Sequence, residues 1–246
     1  MRVNRVTHET IEGREFIRKE RNPFSWILIV LGNFVFRFRR APVRVLHRRQ
    51  WQQWEKTVQK AMGLEVPSET ARGLMSPKIS GQPLLDVVDA EGELLSFDDV
   101  NERLRLALEA LYRLHQIEIE IDVDGKRVLF SHGDASITNA IIADDQKSAI
   151  WLDFDLRHDL RQPAYARQAE DLRAFMMTGI ACLAVEEHSD ERFERFMQTM
   201  KVAYPNKEVW QGHIDLSVNF WSSIDIFFLA QQFRAKAARC SCLYPK

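Results

Sequence analysis

The chain has 246 residues, 46% of them apolar, which is ordinary for a globular protein of one large domain or two small lobes. It contains no low-complexity segment and no internal repeat. Three cysteines are too few for a disulfide framework, and Cys240 and Cys242 lack the further ligands of a zinc site, so a reducing compartment is expected.

Charge is distributed unevenly, although the net charge is only −1. Residues 1–60 carry fourteen Lys and Arg against five Asp and Glu, a balance of +9, and the rest of the chain carries −10. This asymmetry indicates either an N-terminal part that faces anions or two parts that attract each other. The first residues are polar and charged, unlike a secretory signal, so we expect a cytoplasmic protein.

The N-terminal region predicts two strands and then a helix. Segments 3–8 and 15–19 alternate like short strands, and Glu12-Gly13 between them is a plausible turn. Residues 24–36 are an apolar run of about thirteen residues, whereas a membrane-spanning helix needs roughly twenty. We therefore expect a buried or interfacial helix that begins after Pro23.

The remaining elements follow from apolar spacing and from Gly and Pro. Leu46, Trp51, Trp54 and Val58 predict a helix from about residue 45 to 61, and Phe97 to His115 predicts a second. Extended segments are predicted at 76–85, 128–130, 140–142 and 149–152, and helices dominate from about residue 166, including a core helix at 220–230. Strands first and helices later predict an α+β fold.

Two short segments carry residues suited to chemistry: Ser131-His-Gly-Asp-Ala-Ser-Ile-Thr-Asn139 and Trp151-Leu-Asp-Phe-Asp155. Phosphoryl transfer needs a carboxylate that orients the attacking hydroxyl, and oxygen ligands for the Mg²⁺ that neutralises phosphate charge. Asp134, Asn139 and Asp153, placed on loops between apolar strands, supply these groups. Either segment alone is a weak signal, because Asp and Asn are common in loops.

Together, His-Gly-Asp-x-x-x-x-Asn and the following hydrophobic-Asp-Phe-Asp resemble the catalytic and metal loops of the protein-kinase-like superfamily. The similarity is greatest to the lipopolysaccharide-core sugar kinases and the aminoglycoside and choline kinases. The resemblance implies that Asp134 is the catalytic base, that His132 braces its loop, and that Asn139, Asp153 and Asp155 form the metal site. Asp155 replaces the glycine of protein kinases, which argues against a protein substrate.

The same family uses a strand lysine that contacts ATP phosphates and a helix glutamate that holds this lysine. Lys19 fits the strand and Glu55 fits the helix, so the resemblance makes both part of the ATP site. Lys19 could instead be a solvated lysine with Arg18 on the opposite face, and Glu55 an ordinary exposed carboxylate.

The resemblance covers roughly residues 14–180 and implies two lobes. We expect a reduced N-lobe over residues 1–80, which contains the helix of Glu55, and a mostly helical C-lobe over 81–246. Residues 79–84 lie where such kinases cross between lobes and bind adenine. Asp171 matches a position on the helix beneath the active site where the family's acidic residue has a structural role. A glycine-rich phosphate loop is missing, because Gly13 is the sole glycine before Lys19. This gap leaves open an inactive, pseudokinase-like protein.

An arginine-rich segment follows the apolar helix. Six arginines lie between Arg37 and Arg49, and the segment has no acidic residue. It could contact an anionic membrane surface, bind phosphate or carboxylate groups of a substrate, or face the acidic remainder of the chain. Nucleic acid is not expected, because no stacking motif accompanies the arginines and the pI is about 6.7. We favour peripheral contact with the inner face of a membrane.

These observations predict a kinase that transfers the γ-phosphoryl group of ATP, with Mg²⁺, to a hydroxyl of a small molecule. A sugar or lipid-linked saccharide is the preferred acceptor. Two alternatives stay open: an aminoglycoside- or choline-type kinase, and a nucleotide-binding or membrane-associated scaffold without activity.

Overall fold

The structure is a computed structural model that describes residues 3–38, 42–84, 86, 95–121, 127–182 and 190–218. The predicted helix at 220–230, the cysteines Cys240 and Cys242, and Arg39 and Arg40 of the arginine-rich segment lie outside the described residues.

The described residues form strands and helices in the following chain order. The strands are β1 (Asn4–Ile11), β2 (Arg14–Arg21), β3 (Val43–Val45), β4 (Ser68–Glu69), β5 (Gly73–Pro77), β6 (Gln82–Pro83), β7 (Glu118–Glu120), β8 (Arg127–Leu129), β9 (Ala140–Ile142), β10 (Ala149–Trp151) and β11 (Leu156–His158). The helices are α1 (Ser25–Phe38), α2 (Arg48–Ala61), α3 (Phe97–His115), α4 (Ala164–Cys182), α5 (Asp190–Ala203) and α6 (Lys207–Val218), with a 3₁₀ turn at Ile137–Asn139.

The N-terminal part contains an antiparallel sheet with the strand order β1-β2-β5-β4. β1 and β2 form a hairpin whose turn residues, Glu12 and Gly13, have φ values of 51° and 78°. Positive φ at both positions matches the twist of a two-residue hairpin turn. The two predicted strands and their turn are therefore confirmed, and both strands are longer than predicted.

Helix α1 confirms the predicted apolar helix, and it is attached to the sheet structure through β3. The Asn33 side chain donates to the Val45 carbonyl at 3.0 Å and accepts from the Val45 N–H at 2.8 Å. Ile29 and Phe36 are buried, but much of the apolar surface of α1 is exposed. Among the residues that the structure describes, no helix has both the length and the apolar character needed to cross a membrane.

Helix α2 begins three residues later than the sequence predicts. Val43 to Val45 form β3, which pairs antiparallel with β11, and this pairing keeps the chain extended before the helix. Trp51, Trp54 and Val58 then lie on the buried face of α2, as their spacing predicts.

Helix α3 has the predicted bounds because its start is capped. The Ser96 hydroxyl accepts from the Asp99 N–H at 3.2 Å, and the Asp99 carboxylate accepts from the Ser96 N–H at 3.3 Å. This capping box satisfies two of the N–H groups that a helix start leaves unpaired. Leu104, Leu108 and Leu111 are fully buried on the face of α3 that packs in the core.

Short strands frame the loops of interest. β9 and β10 form a hairpin with β6 beside it, and β11 pairs with β3. The strands predicted at 128–130, 140–142 and 149–152 are confirmed to within one residue. The extended segment predicted at 76–85 is interrupted: β5 ends at Pro77 and β6 contains only Gln82 and Pro83. Strands followed by helices confirm the predicted α+β class.

Candidate active site

The polar residues singled out from the sequence lie on two loops. Asp134 follows β8, Asn139 ends the 3₁₀ turn, and Asp153 and Asp155 lie between β10 and β11. The Asn139 side-chain amide donates to the Asp134 backbone carbonyl at 2.9 Å. The Leu152 N–H donates to the Asn139 carbonyl at 2.8 Å, which joins the two loops.

Gly133 is required by the path of the first loop. Its φ is +89°, a conformation that residues with a side chain rarely adopt. A Cβ at this position would lie 2.8 Å from the carbonyl oxygen of Leu156 in β11. The loop that carries Asp134 can therefore pass directly against β11 only because residue 133 is glycine.

A buried carboxylate on α4 anchors this loop. Asp171 accepts from the N–H of His132 at 2.6 Å and from the N–H of Gly133 at 2.8 Å. Its Oδ2 also lies 3.0 Å from Nε2 of His115, whose Nδ1 lies 2.6 Å from the Tyr204 hydroxyl. Because the carboxylate can only accept, Nε2 of His115 donates in its contact with Asp171. These contacts agree with the structural position that the sequence resemblance gives to Asp171.

His132 holds the two loops together as a neutral ring. Its Nε2 lies 3.0 Å from the Leu152 carbonyl, which can only accept, so Nε2 carries the proton. Its Nδ1 therefore accepts, and the Asp134 N–H lies 3.3 Å away. Burial lowers the pKa of His132 to about 4, so the ring stays neutral near pH 7. The geometry suits a brace, and it leaves no free ring nitrogen for proton transfer.

Asp134 lies where its carboxylate resists ionisation. Burial raises its pKa to about 7, and the nearby charge of Asp153 adds to this effect. Because this pKa lies near neutral pH, Asp134 is suited to exchanging a proton with a bound hydroxyl.

Lys19 lies between the two carboxylates of the second loop. Its ammonium bonds to Asp153 and lies 2.9 Å from Oδ1 of Asp155. Burial alone would lower the pKa of Lys19, but Asp153, Asp155 and Glu55 outweigh burial and raise it. The alternative that Lys19 is a solvated strand lysine is therefore wrong. Arg18 does lie on the opposite face, where it pairs with Glu9 at 2.8 Å.

Glu55 is buried, so the alternative of an ordinary exposed carboxylate is also wrong. It does not hold Lys19 directly, however. Its carboxylate accepts from Nε1 of Trp51 and from the Gln59 amide, both at 3.1 Å. Burial raises the pKa of Glu55 and the charge of Lys19 opposes this rise, so the two residues interact through their charges rather than through a close ion pair.

Two neighbours, Arg21 and Asn4, were not singled out from the sequence as site residues. Arg21 lies 3.6 Å from Asp155, donates to Asn4 at 2.9 Å and to the Leu46 carbonyl at 3.0 Å, and stacks over Trp51 at 4.7 Å. The Asn4 amide donates in turn to Asp155. Arg21 could have been found, because it lies two residues after Lys19 and a strand places such residues on one face. The contact of Asn4 depends on tertiary structure, which no local pattern reveals.

Side chains on both loops carry oxygens that could hold a magnesium ion. The oxygens of Asp153, Asp155 and Asn139 are the hard ligands that Mg²⁺ prefers. The Lys19 ammonium shows that a single cation can contact both carboxylates at once. Asp153 has a φ of 63°, and strained backbone of this kind is common at ligand sites. Within the described ranges no group of three or more His, Cys, Asp or Glu side chains is arranged to hold a metal.

Comparison with known proteins addresses the fold. No known protein-family model matches the sequence, and no curated protein sequence matches it. Among solved structures, an ethanolamine kinase from Plasmodium vivax superposes with a TM-score of 0.51 at 11% identity, over 98% of this chain and 79% of that one. The chain has the protein-kinase-like fold.

A structure of WaaP in complex with acyl carrier protein also matches. It covers 98% of this chain and 86% of WaaP, at 12% identity and a TM-score of 0.44.

Proposed function

We propose that this protein is an ATP-dependent phosphotransferase that acts on a hydroxyl group. The observation that carries the proposal is the convergence of Asp134, Asn139, Asp153 and Asp155 with the partly buried Lys19 on one side of a kinase-like fold. Phosphoryl transfer depends mainly on positioning and on charge, and this cluster provides both.

In the proposed reaction Asp134 orients the acceptor hydroxyl and takes its proton as the hydroxyl oxygen bonds to the γ-phosphorus. The bond from that phosphorus to the β,γ-bridging oxygen breaks at the same time, and ADP leaves. The pKa of about 7 suits this exchange near neutral pH. His132 and Asp171 keep the loop of Asp134 in place through the hydrogen bonds described above. The Lys19 ammonium would move from the carboxylates to phosphates that are not transferred. Asn139, Asp153 and Asp155 would hold Mg²⁺, which neutralises charge on the β- and γ-phosphates when bound.

For the acceptor we propose a sugar or lipid-linked saccharide, with an aminoglycoside- or choline-like amine as the alternative. The match to an ethanolamine kinase supports a small acceptor through fold alone. We also propose that the chain divides near residue 80, since the sheet β1-β2-β5-β4 lies before this point and α3 to α6 lie after it.

A second candidate is a pseudokinase-like scaffold, nucleotide-binding or membrane-associated, without transfer activity. Two observations favour it. The hairpin before Lys19 has a two-residue turn rather than a glycine-rich loop, and Lys19 already neutralises Asp153 and Asp155. In that case Asp134→Ala would leave the cellular role of the protein unchanged.

The test is the thermal stability of the purified chain with ATP, with and without Mg²⁺. A ligand at a hundred times its Kd stabilises the folded state by about 2.7 kcal/mol. We expect a Mg²⁺-dependent rise that Asp153→Ala removes and that Asp159→Ala, a change at an exposed carboxylate, retains. Transfer of labelled γ-phosphate to a panel of sugars and amines then separates the two candidates. No shift at millimolar nucleotide would contradict the phosphotransferase and favour a scaffold that does not bind nucleotide.

A further inference from the structure

Helix α1 presents a continuous apolar face to solvent. Ile27, Val30, Leu31, Phe34 and Phe38 recur three or four residues apart, which places them on one side of a helix. Their exposed fractions run from 40% to 77%, and Phe24 and Trp26 extend the same surface at 63% and 60%. Soluble proteins seldom leave so many large apolar side chains together in water, so this face marks an interaction surface.

Exposed basic residues follow this face along the chain, on α1, on β3 and at the start of α2. No Asp or Glu occurs between Glu20 and Glu55 in the sequence. In the structure Arg37 at the end of α1, Arg44 on β3, and Arg48 and Arg49 at the start of α2 are all exposed.

The basic residues of α2 also line a groove. It has a volume of about 540 Å³, and its walls include Arg48, Arg49 and Lys56. Glu69 is the one acidic residue of the lining, and it is paired with Lys56 at 2.9 Å. The groove therefore offers two arginines to an anionic group.

We propose that α1 lies in the surface of an anionic bilayer, with its apolar face among the acyl chains and the arginines on lipid phosphates. A helix of 14 residues is about 21 Å long, which is too short to span a bilayer but suits a helix lying in its plane.

The charge pattern selects a bilayer over a second copy of the chain. Two copies that packed α1 against α1 would bring their arginine-rich segments together, and like charges across an interface oppose binding. A surface rich in phosphate satisfies both the apolar face and the arginines.

This surface is directly connected to the candidate active site, although the proposal does not depend on catalysis. Asn33 of α1 holds β3, and β3 pairs with β11, which follows Asp155. The Leu46 N–H donates to the Asp155 carbonyl at 3.1 Å. A lipid-linked acceptor in the same membrane would therefore lie on the side of the protein where hydrogen bonds connect α1, through β3, to the loop of Asp153 and Asp155.

The test is co-sedimentation of the full chain with vesicles of phosphatidylcholine, with and without phosphatidylglycerol. We expect binding to the anionic vesicles that weakens as salt is raised. Leu31→Glu with Phe34→Glu should reduce partitioning at least tenfold, and each of Arg44→Gln and Arg48→Gln about fivefold. All these positions are exposed, so unfolding curves should confirm that the variants still fold.

Two controls separate this proposal from the proposed function. Val202→Glu changes an apolar residue of α5 that is 73% exposed, and it should bind vesicles like the unmodified chain. Asp153→Ala should also bind vesicles, even where it abolishes the response to nucleotide.

Trp26 gives an independent readout. Its fluorescence should shift to the blue on anionic vesicles, and Trp26→Phe should remove this change. No sedimentation with anionic vesicles at low salt would overturn the proposal, as would normal sedimentation of the Leu31 and Phe34 double variant. A dimer in light scattering that this double variant abolishes would assign the face to a second copy instead.

Discussion

Asp134 should make the folded protein less stable as pH rises. Its pKa is about 7 in the folded state against an ordinary value of 3.8 for an aspartate, mainly because of burial. A group whose pKa is raised by folding stabilises the fold at low pH, and this contribution is lost as pH rises through the folded value. Over the two pH units between pH 5 and pH 7, the contribution of Asp134 to the free energy of unfolding falls by about 2.7 kcal/mol.

Replacing Asp134 by Asn removes this titration while retaining the shape of the side chain. We therefore expect Asp134→Asn to gain stability relative to the unmodified chain by up to about 2.7 kcal/mol between pH 5 and pH 8. Urea unfolding at the two pH values measures this difference. Burial lowers the pKa values of His132 and His158 to about 4. These histidines titrate in both proteins, so their contributions to the pH dependence of unfolding cancel in the difference.

Asp159→Asn is the matched control. The pKa of Asp159 is lowered by its hydrogen bond to Arg161, so its carboxylate is ionised at both pH values and the difference should not change with pH. A pH-independent difference for Asp134→Asn would refute the assignment of a raised pKa to this residue.

Two further substitutions test the loops. Gly133→Ala forces a Cβ to within 2.8 Å of the Leu156 carbonyl at positive φ and should cost about 2–4 kcal/mol in urea unfolding, whereas Gly63→Ala, at φ +73° with no atom within 4 Å, should cost about 1 kcal/mol. Lys19→Met leaves two carboxylates without their shared cation and should cost about 1–3 kcal/mol, since Asp153 is 45% exposed; millimolar Mg²⁺ should reverse much of this loss. Arg18→Met, on the other face of β2, should cost less than about 1 kcal/mol and show no response to Mg²⁺. Equal losses of stability for Lys19→Met and Arg18→Met would contradict a site in which the Lys19 ammonium bridges the two carboxylates.

The sequence predicts local features of this protein well. Apolar spacing identified α3 at its observed bounds because Ser96 and Asp99 form a local cap, and it identified the buried face of α2. The residues around Asp134 and Asp153 could be identified as candidate site residues because only a few kinds of side chain suit phosphoryl transfer.

Tertiary contacts account for what the sequence could not predict. The start of α2 is displaced because β3 pairs with β11, more than a hundred residues away in the chain. Glu55 contacts Trp51 and Gln59 rather than Lys19, because Asp153 and Asp155 lie closer to the ammonium. The exposure of α1 could not be predicted either, because an apolar run has the same sequence pattern whether other elements bury it or leave it exposed to solvent.

The hydrogen bonds of Asp171 tie the backbone of the loop that carries Asp134 to helix α4 of the core. The backbone amides of His132 and Gly133 donate to a carboxylate on α4 that is itself 1% exposed and linked through His115 to Tyr204. These amides can exchange with solvent only when α4 separates from the loop. We therefore expect the amides of His132 and Gly133 to exchange as slowly as those of the helical core, which native-state hydrogen exchange would measure.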